Sequence, residues 1–253
     1  MNNITAKICA FVRMYHNNES NVKIYSDNYA KYILSKEEYN SIIDNMCNGI
    51  KFFNPNFEGN KSQKISFIVN NQLGPSVLGR AAFNKRALEN AINIGCKQYL
   101  LYASGYDTSA IGVGIKAFEI DRAEMIDDKR NRLKNNNINI QNIEYIKSDF
   151  TKDNWILNVL KSSYNPRLLS FNSLLGISYY LTKEEFNNML KQISDIISNG
   201  SSILFDFQTD EYSRETTINE QLASEAKEKM KAKYSYNEIE KILSDNDLLV
   251  YEY

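Results

Sequence analysis

The residues best placed to do chemistry are a small-residue turn and three acids in an ordered series. Ala103-Ser104-Gly105-Tyr106-Asp107 follows the apolar run Tyr99-Leu100-Leu101-Tyr102. Small side chains at such a turn let the backbone approach a ligand closely. Asp121 closes the run Lys116–Asp121, sixteen residues beyond Gly105. A carboxylate there has two oxygens in fork geometry and can accept from both hydroxyls of a ribose. Asp149 closes the run from Ile143, where it can accept from the exocyclic amine of adenine while Phe150 packs on the base. Singly these features are ordinary, since most strand-end acids are solvated or cap a helix. Their order on successive strands is what points to an adenosine-bearing ligand.

The same turn argues against a nicotinamide dinucleotide. That fingerprint needs G-x-G-x-x-G opening a helix, and the window Ala103–Thr108 holds one glycine. Gly112-Val113-Gly114 precedes a strand and reads as a loop. Adenosine without a pyrophosphate cradle fits S-adenosylmethionine. His16 is the sole histidine and sits in the polar stretch His16-Asn17-Asn18-Glu19, so a solvated surface position is expected. One histidine excludes multi-histidine metal sites. Cys9, Cys47 and Cys96 form no paired spacing and read as reduced, packed thiols, with no metal expected.

Thirty basic against thirty-one acidic residues give a net charge of -1, which leaves no electrostatic footprint for nucleic acid or an anionic membrane. No apolar run has the length of a membrane span, and the N-terminus lacks a signal-peptide pattern, so a cytoplasmic location is expected.

These residues need elements to hold them. Apolar spacing suggests helices over 6–14, 37–46 and 83–94, the last stopped by Gly95. From residue 98 the pattern alternates. Strands are expected at 99–103, 116–121, 143–147, from 168, and at 202–207, with helices at 123–134, 153–160, 183–197, 218–231 and 235–244. Thr182 with Glu185 forms a capping box. Residues 248–253 suggest a sixth strand. This alternation predicts an α/β fold with a mostly parallel, doubly wound sheet, organised as a helical segment over 1–95 and a core over 96–253. Ligands in such sheets bind beyond the carboxyl ends of the strands.

At this level of detail the chain resembles the leucine carboxyl methyltransferase-like family of class I S-adenosylmethionine-dependent methyltransferases, in its bacterial natural-product O-methyltransferase branch. The resemblance runs in order through Thr5-Ala6 with Arg13, Asp27-Asn28-Tyr29-Ala30, Arg80-Ala81-Ala82-Phe83, Gly95-Cys96-Lys97-Gln98, Ala103–Thr108, Glu119-Ile120-Asp121 with Lys129, and Leu175–Thr182. It implies a Rossmann-like fold with an N-terminal helical lid. It implies that Ala103, Gly105 and Asp107 lie along the cofactor, that Asp121 holds the ribose, and that Asp149 and Phe150 hold the adenine. Arg80 would pair with the cofactor carboxylate, assisted by Arg13; a guanidinium fork suits a carboxylate. The chain departs from the family where Ala103 replaces a glycine, Ser104 an alanine, and Leu175 the glutamate of the eukaryotic branch.

The activity expected is methyl transfer to a carboxylate or hydroxyl of a small molecule. Carboxylate is slightly favoured because it is ionised at neutral pH and needs no general base. Tyr179, Tyr180 and Asn172 are candidates for the acceptor pocket. A non-catalytic cofactor-binding protein is the alternative, motivated by Ala103, Ser104 and the close of the chain at Tyr253; a nicotinamide oxidoreductase is disfavoured. A sixth strand ending the sheet would leave an apolar edge, from which a homodimer is a possible consequence.

Overall fold

The computed structural model describes residues 3–152, 154–225 and 227–253. Five strands, β1 (Gln98–Tyr102), β2 (Lys116–Asp121), β3 (Ile143–Lys147), β4 (Ser170–Leu174) and β5 (Ser202–Phe205), form one sheet in the order β3-β2-β1-β4-β5. Every pairing is parallel. The order reverses between β1 and β4, so the crevice for a ligand opens at the carboxyl ends of these two strands.

Alternation along the strands builds a layer on each face. Tyr99 and Leu101 of β1 point into one core with Phe11, Val77, Leu88 and Leu133. Leu100 and Tyr102 point into the other with Trp155, Phe186, Leu190 and Ile239. On the first face lie α1 (Ile4–Glu19), α2 (Lys36–Asn48), α3 (Ile50–Phe53), α4 (Lys61–Phe67), α5 (Gly74–Asn93) and α6 (Ala123–Asn135); α7 (Trp155–Leu160), α8 (Lys183–Ser194) and α10 (Tyr236–Asp245) cover the second. Helix α9 spans Arg214–Glu225. The apolar packing of the N-terminal helices runs without a break into that of the sheet.

Local signals fix several boundaries. Thr182 and Glu185 form the expected capping box on α8, and Gly95, at φ +108°, follows the end of α5. That helix starts nine residues before the apolar pattern suggests, at Gly74 rather than Phe83. Pro75 lies in its first turn, where proline is tolerated. The preceding residues Ile68–Leu73 form a π-helical segment that joins α4 to α5. A Cβ on Gly74 would strike the Val69 carbonyl at 2.5 Å, so this join needs glycine.

Three expectations are corrected. Residues 248–253 form no strand; Leu249 and Tyr251 are exposed, and the sheet ends at β5. The helix expected over 218–231 is α9, which ends at Glu225. His16 is buried, not solvated: it lies on the inner face of α1, and its Nε2 accepts from the Ile24 N–H at 2.9 Å. The expected helix start at Asp153 lies outside the described residues; the helix is described from Trp155. Among the described residues no helix is long and apolar enough to cross a membrane.

Two outcomes follow. Burial, then Lys23, holds the His16 pKa below its usual value. An unfolded imidazole takes its proton near pH 6.5, so below that pH the unfolded state binds more protons and stability falls as pH drops. Thermal melts from pH 7.5 to 5.5 will show this decline, and His16→Gln will flatten it above pH 6; an equal slope in both proteins refutes it. Second, Ala103 adopts φ +53°, the left-handed region. That costs an alanine about 1–2 kcal/mol, against roughly 0.5–1 kcal/mol for glycine's extra unfolded-state entropy. Ala103→Gly will therefore raise stability modestly, read as a higher denaturation midpoint.

Candidate functional site

The loop after β1 is tied to the N-terminal helices by one buried carboxylate. Asp27 Oδ2 accepts from Arg13 Nε at 2.8 Å. Both its oxygens lie 2.7 Å from the Thr108 hydroxyl, and Oδ1 also accepts from the N–H groups of Tyr29 and Ala30. Arg13 Nη2 donates to the Tyr106 carbonyl at 2.7 Å. Arg13 and Asp27 are both about 5% exposed, so the pair is sealed. Burial opposes the charge on Arg13, but Asp27 and Asp107 outweigh it and raise the guanidinium pKa. Arg13 is thus occupied in positioning the turn.

The turn itself is held from β2. Asp121 Oδ2 accepts from the Gly105 N–H at 2.8 Å and Oδ1 from the Arg122 N–H at 2.7 Å. Those bonds use one lone pair on each oxygen and leave the others for ligand hydroxyls. Burial is the main cause of the raised Asp121 pKa. A Cβ on Gly105 would come 3.6 Å from Ala6, so α1 lies directly over the turn. The Ser104 hydroxyl is buried with no hydrogen-bond partner among the described residues. An orphaned hydroxyl in the small-residue turn fits a site that receives a polar ligand.

Beneath the turn, Glu119 and Lys129 form a fully buried ion pair at 2.7 Å. Burial pushes the Glu119 pKa up to about 7 despite Lys129. Asp107 accepts from the Ser109 N–H. Burial works to raise its pKa, but Arg13 and the Ser109 bonds outweigh this and hold it below its usual value.

On the far side of the crevice, Arg80 of α5 meets the loops after β4 and β5. Its Nη1 donates to the Tyr179 hydroxyl and to Asp206 Oδ2, each at 3.0 Å, and Nη2 donates to Cys9 Sγ at 3.3 Å. Burial is the main cause of the raised pKa values of Tyr179 and Tyr180, so both phenols stay protonated. Asp149 is half-exposed, with Oδ1 accepting from both the N–H and hydroxyl of Thr151. Phe150 packs edge-on to Trp155 at 5.0 Å. Asn172 stands apart from the crevice: it is 0% exposed inside β4, donating to Ser170 and the Ser202 carbonyl and accepting from Tyr102. A sealed, fully bonded amide cannot touch an acceptor.

Sequence reasoning gave Asp206 no role, because a lone acid after a strand carries no spacing signal. It quoted Asp27 and Thr108 but not their bond, which joins positions 81 apart in the chain. A cavity of about 560 Å³ beside Tyr15, Ser66 and Pro75 holds none of the strand-end groups. Among the described residues no cluster of three or more His, Cys, Asp or Glu could hold a metal.

Comparison with known proteins adds to this geometry. The leucine carboxyl methyltransferase family profile matches residues 6–194. YktD of Bacillus subtilis (strain 168), whose name places it with the S-adenosyl-L-methionine-dependent methyltransferases, is 30% identical over 273 residues, spanning 99% of this chain and 87% of its own. A DUF574 family protein from Streptomyces avermitilis superposes with a TM-score of 0.57 at 12% identity, covering 92% of this chain and 81% of that one. An O-methyltransferase family protein from Burkholderia thailandensis gives 0.50 at 12% identity, over 95% and 72%. These two likenesses speak for the fold. Matched by the profile over most of its length, and by YktD over nearly all of it, the chain belongs to the leucine carboxyl methyltransferase family and is an S-adenosylmethionine-dependent methyltransferase.

Proposed function

We propose that this enzyme methylates an oxygen of a small molecule, a carboxylate in preference to a phenol, and that residues 1–95 close as a lid over a cofactor held by the core of 96–253. Bound S-adenosylmethionine supplies an electrophilic methyl group on a sulfonium. The protein's own work is to position the two reactants and exclude water.

The observation that carries this reading is the charge around the turn. Asp27, Asp107, Glu119 and Asp121 are four acids set against three cationic side chains there, Arg13, Arg122 and Lys129. Such an acid-rich floor suits a cationic sulfonium ligand. Asp121 has lone pairs to spare for the ribose hydroxyls, Gly105 and Ala103 let the ligand lie against the backbone, and Asp107 extends the floor. Asp149 and Phe150 are assigned to the adenine, and Arg80 to the cofactor carboxylate. Arg13 acts through Asp27 and the turn. The acceptor lies beside Tyr179 and Tyr180. Both phenols are held protonated, and His16 is enclosed one turn beyond Arg13, so none of the three supplies a base. An acceptor already ionised fits such a site better than a phenol.

The test is release of S-adenosylhomocysteine from a panel of small carboxylic acids and phenols. Turnover is expected among the acids; turnover confined to phenols contradicts the preference. Asp121→Asn will weaken binding of S-adenosylhomocysteine and of 5′-methylthioadenosine alike, by roughly 1.5–3 kcal/mol, because both carry the ribose. Unchanged affinity in calorimetric titration removes Asp121 from the ribose.

A further inference from the structure

Asp206 lies just after β5, outside the family match over residues 6–194. Its carboxylate is fixed on two sides. Oδ2 accepts from Arg80 Nη1 at 3.0 Å and Oδ1 from the Gly176 N–H at 2.6 Å. Its own carbonyl accepts from the Ser178 hydroxyl at 2.5 Å, which locks the backbone of the residue as well. Gly176 is at φ +73°, and a Cβ there would come 3.2 Å from Arg80 Nη1, so the loop after β4 lies flat against the guanidinium. The Tyr179 hydroxyl and Cys9 sulfur hold the guanidinium from two further directions. Arg80 and Asp206 are therefore preorganised by α1, α5 and the loops after β4 and β5.

Neither group is exhausted. A carboxylate accepts about four hydrogen bonds and a guanidinium donates about five. The Asp206 carboxylate accepts two here and Arg80 donates three. Their side chains remain 23% and 18% exposed, unlike the sealed Arg13–Asp27 pair at 6% and 3%. The crevice thus presents an anion with spare lone pairs beside a cation with spare donors. An α-amino acid end presents the complement, with ammonium and carboxylate on one carbon.

We propose that Arg80 and Asp206 form a clamp for that zwitterion, with Asp206 accepting from the α-ammonium of the cofactor while Arg80 holds its carboxylate. The inference rests on the cofactor assignment above and adds Asp206 as a binding residue. It also explains why the pair is left partly open: both ends must reach a ligand.

The experiment is calorimetric titration of wild type and Asp206→Asn with S-adenosylhomocysteine, its decarboxylated analogue (amine kept, carboxylate absent) and 5′-methylthioadenosine (no amino-acid end). Asn keeps the shape and removes the charge. Asp206→Asn is expected to weaken the first two ligands by about tenfold or more, the loss expected for a charged hydrogen bond, and to leave 5′-methylthioadenosine within about twofold. Equal losses for all three ligands would mean Asp206 only supports the fold. A loss for S-adenosylhomocysteine alone would mean it acts only through Arg80. No loss for any ligand would mean it takes no part. Each of these outcomes overturns the clamp. Failure of the wild-type protein to bind any of the ligands would instead overturn the cofactor assignment, and the clamp with it.

Discussion

The buried carboxylate of Asp27 is the constraint on which the site depends. It is in contact with α1, through Arg13, with its own turn, through Tyr29 and Ala30, and with the loop after β1, through Thr108. A carboxylate sealed from water is costly unless its lone pairs are filled. These donors fill them, and in doing so they fix where the chain from α1 enters the sheet. Arg13 extends the tie to the Tyr106 carbonyl, in the middle of the turn. Removing either partner would strand a buried charge, so the geometry is enforced by a penalty as much as by attraction.

From that tie the crevice is built in two halves of different character. The half around Gly105 is closed and acid-rich: Asp121 grips the turn by its N–H, α1 lies over it, and the Glu119–Lys129 pair sits beneath. The half around Arg80 is partly open and built from residues distant in sequence, α5 meeting the loops after β4 and β5. Positions in the first half are set by neighbours on successive strands. Positions in the second are set by where α5 comes to rest, and so by the π-helical join at Ile68–Leu73 that determines its start.

This difference explains what could be read from the sequence. The strands β2 and β3, the capping box of α8 and the glycine ending α5 were legible, because each depends on near neighbours. So was the placement of Gly105 and Asp121 at the ends of adjacent strands, where one hydrogen bond joins them. The Arg80–Asp206 contact joins residues 126 apart, and no local pattern announces it. His16 misled because three polar neighbours suggest solvent, while the helical period turns it onto the buried face with Val12 and Arg13. Leu248–Tyr253 has strand-like composition, but composition alone supplies no partner for its backbone, and it stays outside the sheet.

The central claim is that Asp27 holds the turn after β1 in place from the N-terminal helices. Backbone amide exchange, followed peptide by peptide in wild type and Asp27→Asn, tests it directly, since local opening is read where the protecting contacts are lost. The account predicts faster exchange in two separated segments at once, around residues 25–32 and 103–109, with β4 unchanged. Faster exchange confined to residues 25–32, with the turn still protected, would contradict it.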